Sequence, residues 1–92
     1  MSRFEKSTPK SKKIYERART NVPFGVHSNY RYAEPYPTYF VRAKGTKLWD
    51  VDGNNFVDYN MGFGALVAGH SHPAIVQAIT RQAKKGTDFG FE

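Results

Sequence analysis

The sequence contains no cysteine, which excludes a disulfide framework and a metal site built from thiolates. No apolar run approaches the roughly 20 residues that a membrane-spanning helix needs, and the N-terminus lacks the apolar core of a secretory signal. We therefore expect a cytoplasmic protein. A chain of 92 residues has room for one small domain, and for little of a deep catalytic cleft.

Acidic residues are also scarce, since 8 of them stand against 14 lysines and arginines and leave a net charge of +6. Residues 1–20 hold seven of the basic side chains. Such an arm is typical of a small module that binds nucleic acid or an anionic membrane without catalysis, and steep salt dependence of that binding would support this alternative. A solvated surface helix accounts for the same charges, and we prefer it, so we expect neither partner.

Hydrophobic patterning predicts an α+β segment made of a helix, a long loop, a three-stranded antiparallel meander and a second helix. Residues 1–7 are predicted to form a frayed tail. The first helix should begin at Thr8-Pro9, with the threonine as its cap, and should end near Thr20 or Asn21.

Three short runs rich in β-forming residues predict the strands of the meander, and turn residues separate them. The predicted strands are Tyr39–Arg42, Lys47–Val51 and Asn55–Tyr59. The second helix should begin at Pro73 with His72 or Ser71 as its cap, and Gly86 should take the C′ position after its end.

The segment LWDVDGNNFVDY, residues 48–59, crowds acidic and amide side chains around a glycine, as a calcium loop does. Counted from Asp50, however, the glycine stands at position 4 instead of 6, and position 12 is Met61 where a calcium loop has glutamate. We therefore predict a hairpin turn at Asp52-Gly53-Asn54, with Asp52 accepting backbone N–H bonds. A calcium titration that leaves the melting temperature unchanged would dispose of the calcium alternative.

The segment GHSHP would place His70 and His72 on the same side of an extended strand, where the pair could chelate zinc or copper. Two histidines are too few for a site, and a further ligand such as His27 is distant in sequence. Capping of the helix at Pro73 explains one of them better, and no metal is expected. The segment GFGALVAG fails as a dinucleotide loop, because Val67 stands where a glycine is required.

The segment FGVHSNYR lies in the irregular, aromatic-rich stretch before the first strand. A loop of this length inside a compact domain is functional or disordered, and its aromatic content argues for order. Arg31 carries a planar guanidinium that can bind both oxygens of a carboxylate. A surface arginine stacked on a tyrosine is the alternative, and residue types alone leave both open.

Taken in order, four segments resemble the N-terminal region of class III aminotransferases, which are pyridoxal-phosphate enzymes of fold type I. The segments are SKKIYERARTNVPFGVHSNYR, YFVRAKGTKLWDVDGNNFVDY, GALVAGHSHPAIVQAI and KKGTDFG. The resemblance runs from about Ser11 to Gly90, and it is strongest to the branch of glutamate-1-semialdehyde aminomutase and the related β-amino-acid aminotransferases. It implies either amino transfer between an amino acid and an oxo acid or aldehyde, or transfer within one molecule in tetrapyrrole synthesis. It also implies a homodimer.

The resemblance implies three substrate-binding residues: Ser28 and Arg31 at the substrate carboxylate, and Phe63 beside the cofactor. In the aminomutase branch, a loop of the form P-G-G-V-x-S-x-x-R supplies the serine and the arginine, and Phe24 replaces one of its glycines. In the same branch, a tryptophan stands at the position of Phe63. Phenylalanine keeps the apolar wall and loses an N–H donor, which, together with the segment EPYP, favours the aminotransferase.

Enzymes of that family are several times longer than this chain. The resemblance places the lysine that bonds to pyridoxal 5′-phosphate, the aspartate at the pyridine nitrogen and the phosphate-binding loop beyond residue 92. We therefore expect residues 1–92 to contribute to the small domain of the enzyme, to lack its large cofactor-binding domain, and to hold no catalytic residue. Alone they should be inactive, and the remainder of the enzyme is their expected partner, with small-molecule amino acids and oxo acids or aldehydes as substrates.

Overall fold

The computed structural model describes residues 1–91. Helices α1 (Arg3–Ser7) and α2 (Pro9–Ala18) come first, and two short 3-10 turns follow at Pro23–Gly25 and Asn29–Arg31. The remaining elements are strands β1 (Phe40–Lys44), β2 (Lys47–Asp50) and β3 (Asn55–Val57), and helix α3 (Pro73–Ala83). The predicted order of helix, loop, meander and helix is confirmed, and α1 is an addition to it.

Helix α1 shows that the predicted frayed tail is wrong. The Ser2 hydroxyl accepts a hydrogen bond from the Glu5 backbone N–H at 3.2 Å, and the Glu5 carboxylate accepts one from the Ser2 N–H at 3.4 Å. This reciprocal pair is a capping box. Its Ser-x-x-Glu spacing stands in the sequence and is a signal that the prediction did not use.

Helix α2 begins at Pro9, as predicted, and ends at Ala18, slightly before the predicted end. Thr8 is the residue before the helix, yet its side chain does not cap it. The Thr8 hydroxyl instead donates to the Phe4 carbonyl at 2.7 Å and bonds to the Tyr36 hydroxyl at 2.9 Å.

A carboxylate from the β2–β3 turn supplies the missing cap of α2. Asp52 accepts hydrogen bonds from the N–H groups of Lys10 at 2.7 Å and Ser11 at 3.1 Å, which are among the amides that the first turn of a helix leaves free. Its negative charge also lies at the positive end of the helix dipole. The prediction that Asp52 accepts backbone N–H bonds is confirmed, although the donors lie in α2 and not in the turn.

We expect Asp52→Ala to lower the free energy of local unfolding of α2 by about 1–2 kcal/mol, because two amides of its first turn lose their acceptor. Native-state hydrogen exchange of the α2 amides measures that free energy. Asp52→Asn keeps one acceptor oxygen and loses the charge, so its decrease should be smaller. Unchanged protection in Asp52→Ala would show that water caps the helix equally well.

The three strands form an antiparallel sheet in the order β1-β2-β3, which confirms the predicted meander. Arg42 pairs with Trp49 across β1 and β2, and Leu48 pairs with Phe56 across β2 and β3. The turn between β2 and β3 contains Gly53 at φ +90°, a conformation that glycine adopts without steric cost.

Several predicted element ends are wrong. Strand β1 runs from Phe40 to Lys44 instead of Tyr39 to Arg42, and strand β2 ends at Asp50 instead of Val51. Strand β3 ends at Val57 instead of Tyr59, because the Asp58 carboxylate accepts backbone hydrogen bonds of 2.8 and 2.9 Å from the residues that follow and turns the chain away from the sheet. Helix α3 has Lys84 as its C-cap, so Gly86 is the second residue beyond the cap and not the C′ residue.

The described residues bury little apolar surface. Within residues 1–91, Tyr36 is the one large hydrophobic side chain that is fully buried, at 3 % exposure, and its ring centre lies 5.2 Å from that of Phe4 and 6.2 Å from that of Tyr15. The apolar side chains of α3 remain exposed: Ile75, Val76 and Ile79. None of the helices in this part of the chain is long and apolar enough to cross a membrane.

Candidate carboxylate-binding site

The arginine predicted to bind a carboxylate lies at the end of the second 3-10 turn. The Arg31 N–H donates to the Ser28 carbonyl at 3.0 Å and closes this turn. Tyr30 anchors the arginine side chain, since Arg31 Nε donates to the Tyr30 hydroxyl at 2.9 Å and the guanidinium carbon lies 5.3 Å from the centre of the Tyr30 ring. Arg31 therefore stacks on a tyrosine, as in the alternative interpretation. Tyr30 holds its guanidinium in a defined place.

Phe63 reaches the same place from a distant part of the chain. Its ring centre lies 5.3 Å from that of Tyr30, and the two rings meet edge to face at 68°. Tyr30 thus joins two of the three predicted site residues, Arg31 and Phe63, and is a residue that the prediction missed. Its place in the sequence, next to Arg31 in the loop, is the signal that could have found it.

Ser28, the third predicted residue, is adjacent to Arg31 through the backbone of the turn. Its side chain is half-buried and makes no capping hydrogen bond to the turn. The role of Ser28 at a carboxylate stays a prediction, as do the roles of Arg31 and Phe63.

The positive charge of Arg31 has no acidic partner in residues 1–91, where the close contact that the structure shows between a basic and an acidic side chain joins His70 to Asp58. The Arg31 side chain is exposed, and within the same residues its hydrogen bond to Tyr30 engages Nε alone. The terminal amino groups of the guanidinium can therefore receive a carboxylate from outside, with the planar geometry that binds both of its oxygens.

A cleft of about 780 Å³ opens beside Arg31, between α2, the loop and the start of β1. Arg31, His27 and Asn21 supply polar groups at its wall. Apolar groups line most of the remainder: Ile14, Ala18, Val22, Val26, Tyr39 and Phe40. This volume lies within the range of small-molecule sites, and one guanidinium at an apolar wall suits an organic acid with an apolar body.

The loop that carries Arg31 is tied to α2 and to the sheet. Gly25 packs so closely on Tyr15 that a Cβ at this glycine would lie 3.0 Å from the tyrosine ring. The Tyr39 hydroxyl donates to the Gly25 carbonyl at 3.2 Å, and burial raises the pKa of this phenol. Phe24 has φ +56°, so it keeps a glycine-like backbone, and its ring lies 5.5 Å from that of Tyr32.

Three of the side chains considered as metal ligands, Asp52, His70 and His72, are engaged in hydrogen bonds. Asp52 caps α2, and His72 caps α3 as predicted, because its Nδ1 accepts a hydrogen bond from the Ala74 N–H at 3.2 Å. His70 bonds to Asp58 at 2.6 Å and so does not share a ligand site with His72. Over residues 1–91 there is no group of three or more histidine, aspartate or glutamate side chains arranged to hold a metal ion.

Known proteins supply the class to which this geometry belongs. The family model described as aminotransferase class III matches residues 29–92. The chain is 44% identical over 86 residues to glutamate-1-semialdehyde 2,1-aminomutase of Methanosarcina acetivorans, a match that covers 94% of this chain and 20% of the relative. The chain belongs to the class III aminotransferase family.

Solved structures show the same likeness. A β-phenylalanine aminotransferase from Variovorax paradoxus is similar with a TM-score of 0.88 and 28% identity, over 98% of this chain and 21% of the other. A glutamate-1-semialdehyde aminomutase from Pseudomonas aeruginosa in complex with PMP is similar with a TM-score of 0.86 and 28% identity, over 97% of this chain and 20% of the other. The chain spans about a fifth of the length of the relatives it matches.

Proposed function

We propose that residues 1–92 serve as the N-terminal, small-domain part of a pyridoxal-phosphate-dependent aminotransferase, in which Arg31 binds the substrate carboxylate. The whole enzyme would move an amino group between an amino acid and an oxo acid or aldehyde. The observation that carries this proposal is the placement of Arg31, whose guanidinium is anchored through Nε by Tyr30 and has no acidic partner among residues 1–91.

The described residues fit one wall of a cofactor site. Phe63 is 74% exposed, and its ring packs on Tyr30, which also anchors Arg31. An exposed aromatic ring in this position suits the border between a planar cofactor and its substrate. The lysines of the chain do not fit the covalent role, because all eight are at least partly exposed and none is desolvated as an activated lysine needs to be. Pyridoxal phosphate, when bound, supplies the electron sink for amino transfer.

In this proposal the residues of the chain bind and orient, and they do not move protons. Arg31 fixes the substrate carboxylate through two parallel hydrogen bonds, which sets the distance of the amino-bearing carbon from the cofactor. Ser28, held next to Arg31 by the turn, would donate a further hydrogen bond to the same carboxylate. Phe63 and Tyr30 would exclude water on one side and so strengthen the charge pair.

An aminomutase is the second candidate, and the 44% identity to the Methanosarcina acetivorans enzyme favours it. The two candidates differ in what they need. An aminomutase converts glutamate-1-semialdehyde with no second substrate, whereas an aminotransferase turns over β-phenylalanine only when an oxo acid such as 2-oxoglutarate accepts the amino group. Assaying the whole enzyme with each mixture decides between them. We further propose that the whole enzyme is a cytoplasmic homodimer. Sedimentation of the whole enzyme tests the homodimer.

Borohydride reduction of the whole enzyme loaded with pyridoxal phosphate tests the proposal about the cofactor. We expect one lysine to be labelled stoichiometrically, and that lysine to lie outside residues 1–92. Peptide mapping by mass spectrometry locates it. A single stoichiometric label on any of the eight lysines of this chain would contradict the proposed division of roles.

A further inference from the structure

The segment from Asp58 to His70, called the Phe63 loop below, is held at both ends by the turn between β1 and β2. At its start the Asp58 N–H donates to the Thr46 carbonyl at 2.7 Å, and at its end His70 and Gly45 exchange two backbone hydrogen bonds of 2.9 Å. A Cβ at Gly69 would lie 3.2 Å from the Gly45 backbone. The two ends of the loop therefore meet at one point of the sheet.

A side-chain pair closes the loop at the same point. Asp58 Oδ2 lies 2.6 Å from His70 Nε2, and the two side chains are only 8% and 16% exposed. The other oxygen of Asp58 accepts the N–H groups of Asn60 at 2.8 Å and Met61 at 2.9 Å. The hydrogen bond from His70, with those two amides, lowers the pKa of the Asp58 carboxyl. These bonds therefore stabilise Asp58 in its carboxylate form.

The backbone beyond this pair is bent into a conformation that its residues disfavour. Met61 and Phe63 have φ values of +51° and +58°, in the left-handed region that a Cβ opposes. Local bonds hold it there, since the Phe63 N–H donates to Asn60 Oδ1 at 2.6 Å and the Leu66 N–H donates to the Met61 carbonyl at 3.0 Å. These bonds follow directly on the turn that Asp58 organises.

We propose that Asp58 and His70 are positioning residues of the substrate site. Their pair holds the Phe63 loop so that the Phe63 ring packs on Tyr30, whose hydroxyl fixes the guanidinium of Arg31. Neither side of the pair touches the substrate, and its influence passes through the Phe63–Tyr30 contact of 5.3 Å. The proposal rests on the proposed function, because it presumes that Arg31 binds the substrate.

A double-mutant cycle on the whole enzyme separates positioning from general support of the fold. With β-phenylalanine and 2-oxoglutarate, or glutamate-1-semialdehyde if that is the substrate turned over, Asp58→Asn should lower kcat/KM by about 10-fold, as expected for a displaced orienting group. In a Phe63→Ala background the same change should cost less than about 2-fold, because the residue through which it acts is gone. An equal loss in both backgrounds would overturn the proposal.

The two histidines of GHSHP give a matched control. His70→Asn should repeat the effect of Asp58→Asn, whereas His72→Asn keeps a capping side chain on α3 and should leave kcat/KM unchanged. His70→Asn also leaves Asp58 bound to both backbone amides, so it keeps the test open if Asp58→Asn fails to fold. A loss in His72→Asn as large as in His70→Asn would overturn the proposal.

Amide exchange distinguishes failure of this proposal from failure of the proposed function. Protection of the Phe63 and Leu66 amides, whose hydrogen bonds hold the bent part of the loop, should fall at least about 10-fold in Asp58→Asn and in His70→Asn, and should be unchanged in His72→Asn. Unchanged protection in the first two variants would overturn the proposal even in an active enzyme. Absence of turnover in the unmodified enzyme, with protection lost as expected, would count against the proposed function and leave the loop-holding pair in place.

Discussion

Replacing Arg31 by alanine in the whole enzyme is expected to lower kcat/KM for the amino acid substrate by about 100-fold, or about 2.7 kcal/mol of transition-state stabilisation. The reason is the loss of two charge-assisted hydrogen bonds to the substrate carboxylate. Arg31→Lys keeps the charge without the planar pair of donors, so it should recover only part of the loss. Steady-state kinetics at saturating second substrate measure both variants.

Arg19 offers a matched control for Arg31. Its side chain is exposed and its guanidinium carbon also lies near a tyrosine, 6.0 Å from the centre of the Tyr15 ring. Arg19→Ala should leave kcat/KM unchanged, and thermal unfolding should shift little in either alanine variant, because neither arginine forms an ion pair within residues 1–91. Equal activity in Arg31→Ala and the unmodified enzyme would end the carboxylate assignment.

The largest effect on stability is expected from Asp50→Ala. Asp50 is 1% exposed, and its carboxylate accepts the N–H groups of Asp52 at 3.0 Å and Asn54 at 2.8 Å, with a third bond of 2.9 Å from the Asn54 side chain. Truncation would leave these donors unpaired in a partly buried turn. We expect the free energy of local unfolding of the β2–β3 hairpin to fall by about 3 kcal/mol.

Hydrogen exchange over residues 47–57 measures this loss. Asp50→Asn is the control, since it keeps one carbonyl oxygen for the two backbone amides and loses the bond from the Asn54 side chain. Its effect should be clearly smaller. Exchange should also quicken in α2, because the turn that Asp50 orders is the one that presents Asp52 to the Lys10 and Ser11 amides. A loss of protection confined to α2 would contradict the proposal that Asp50 orders the turn and that the turn in turn caps α2.

Local patterns in the sequence predicted the regular elements well. Alternation of β-forming residues with turn residues indicated the meander, because each strand and turn is determined within a few residues. The start of α2 at Pro9 and the cap of α3 at His72 are local in the same sense. Helix α1 was equally predictable from Ser2 and Glu5, whose capping-box spacing is a local signal.

Contacts between distant residues could not be read from the chain in this way. The cap of α2 comes from Asp52, which stands about forty residues away and was assigned only to its own turn. The link from Phe63 through Tyr30 to Arg31 depends on the backbone path of two loops. Ser28, Arg31 and Phe63 came from the family resemblance and not from spacing or composition, since a guanidinium among aromatic residues also describes an ordinary surface contact.

Selectivity for a carboxylate tests the central claim about Arg31 most directly. β-Phenylalanine, the amino acid of the proposed aminotransferase assay, and 1-phenylethylamine differ only by the carboxyl group. In the proposed reaction, the ratio of their kcat/KM values in the whole enzyme measures what that group contributes. We expect Arg31→Ala to reduce this ratio by about 100-fold, through a loss for the amino acid with little change for the amine. A ratio that stays the same in Arg31→Ala, whether both activities fall together or neither falls, would contradict the account.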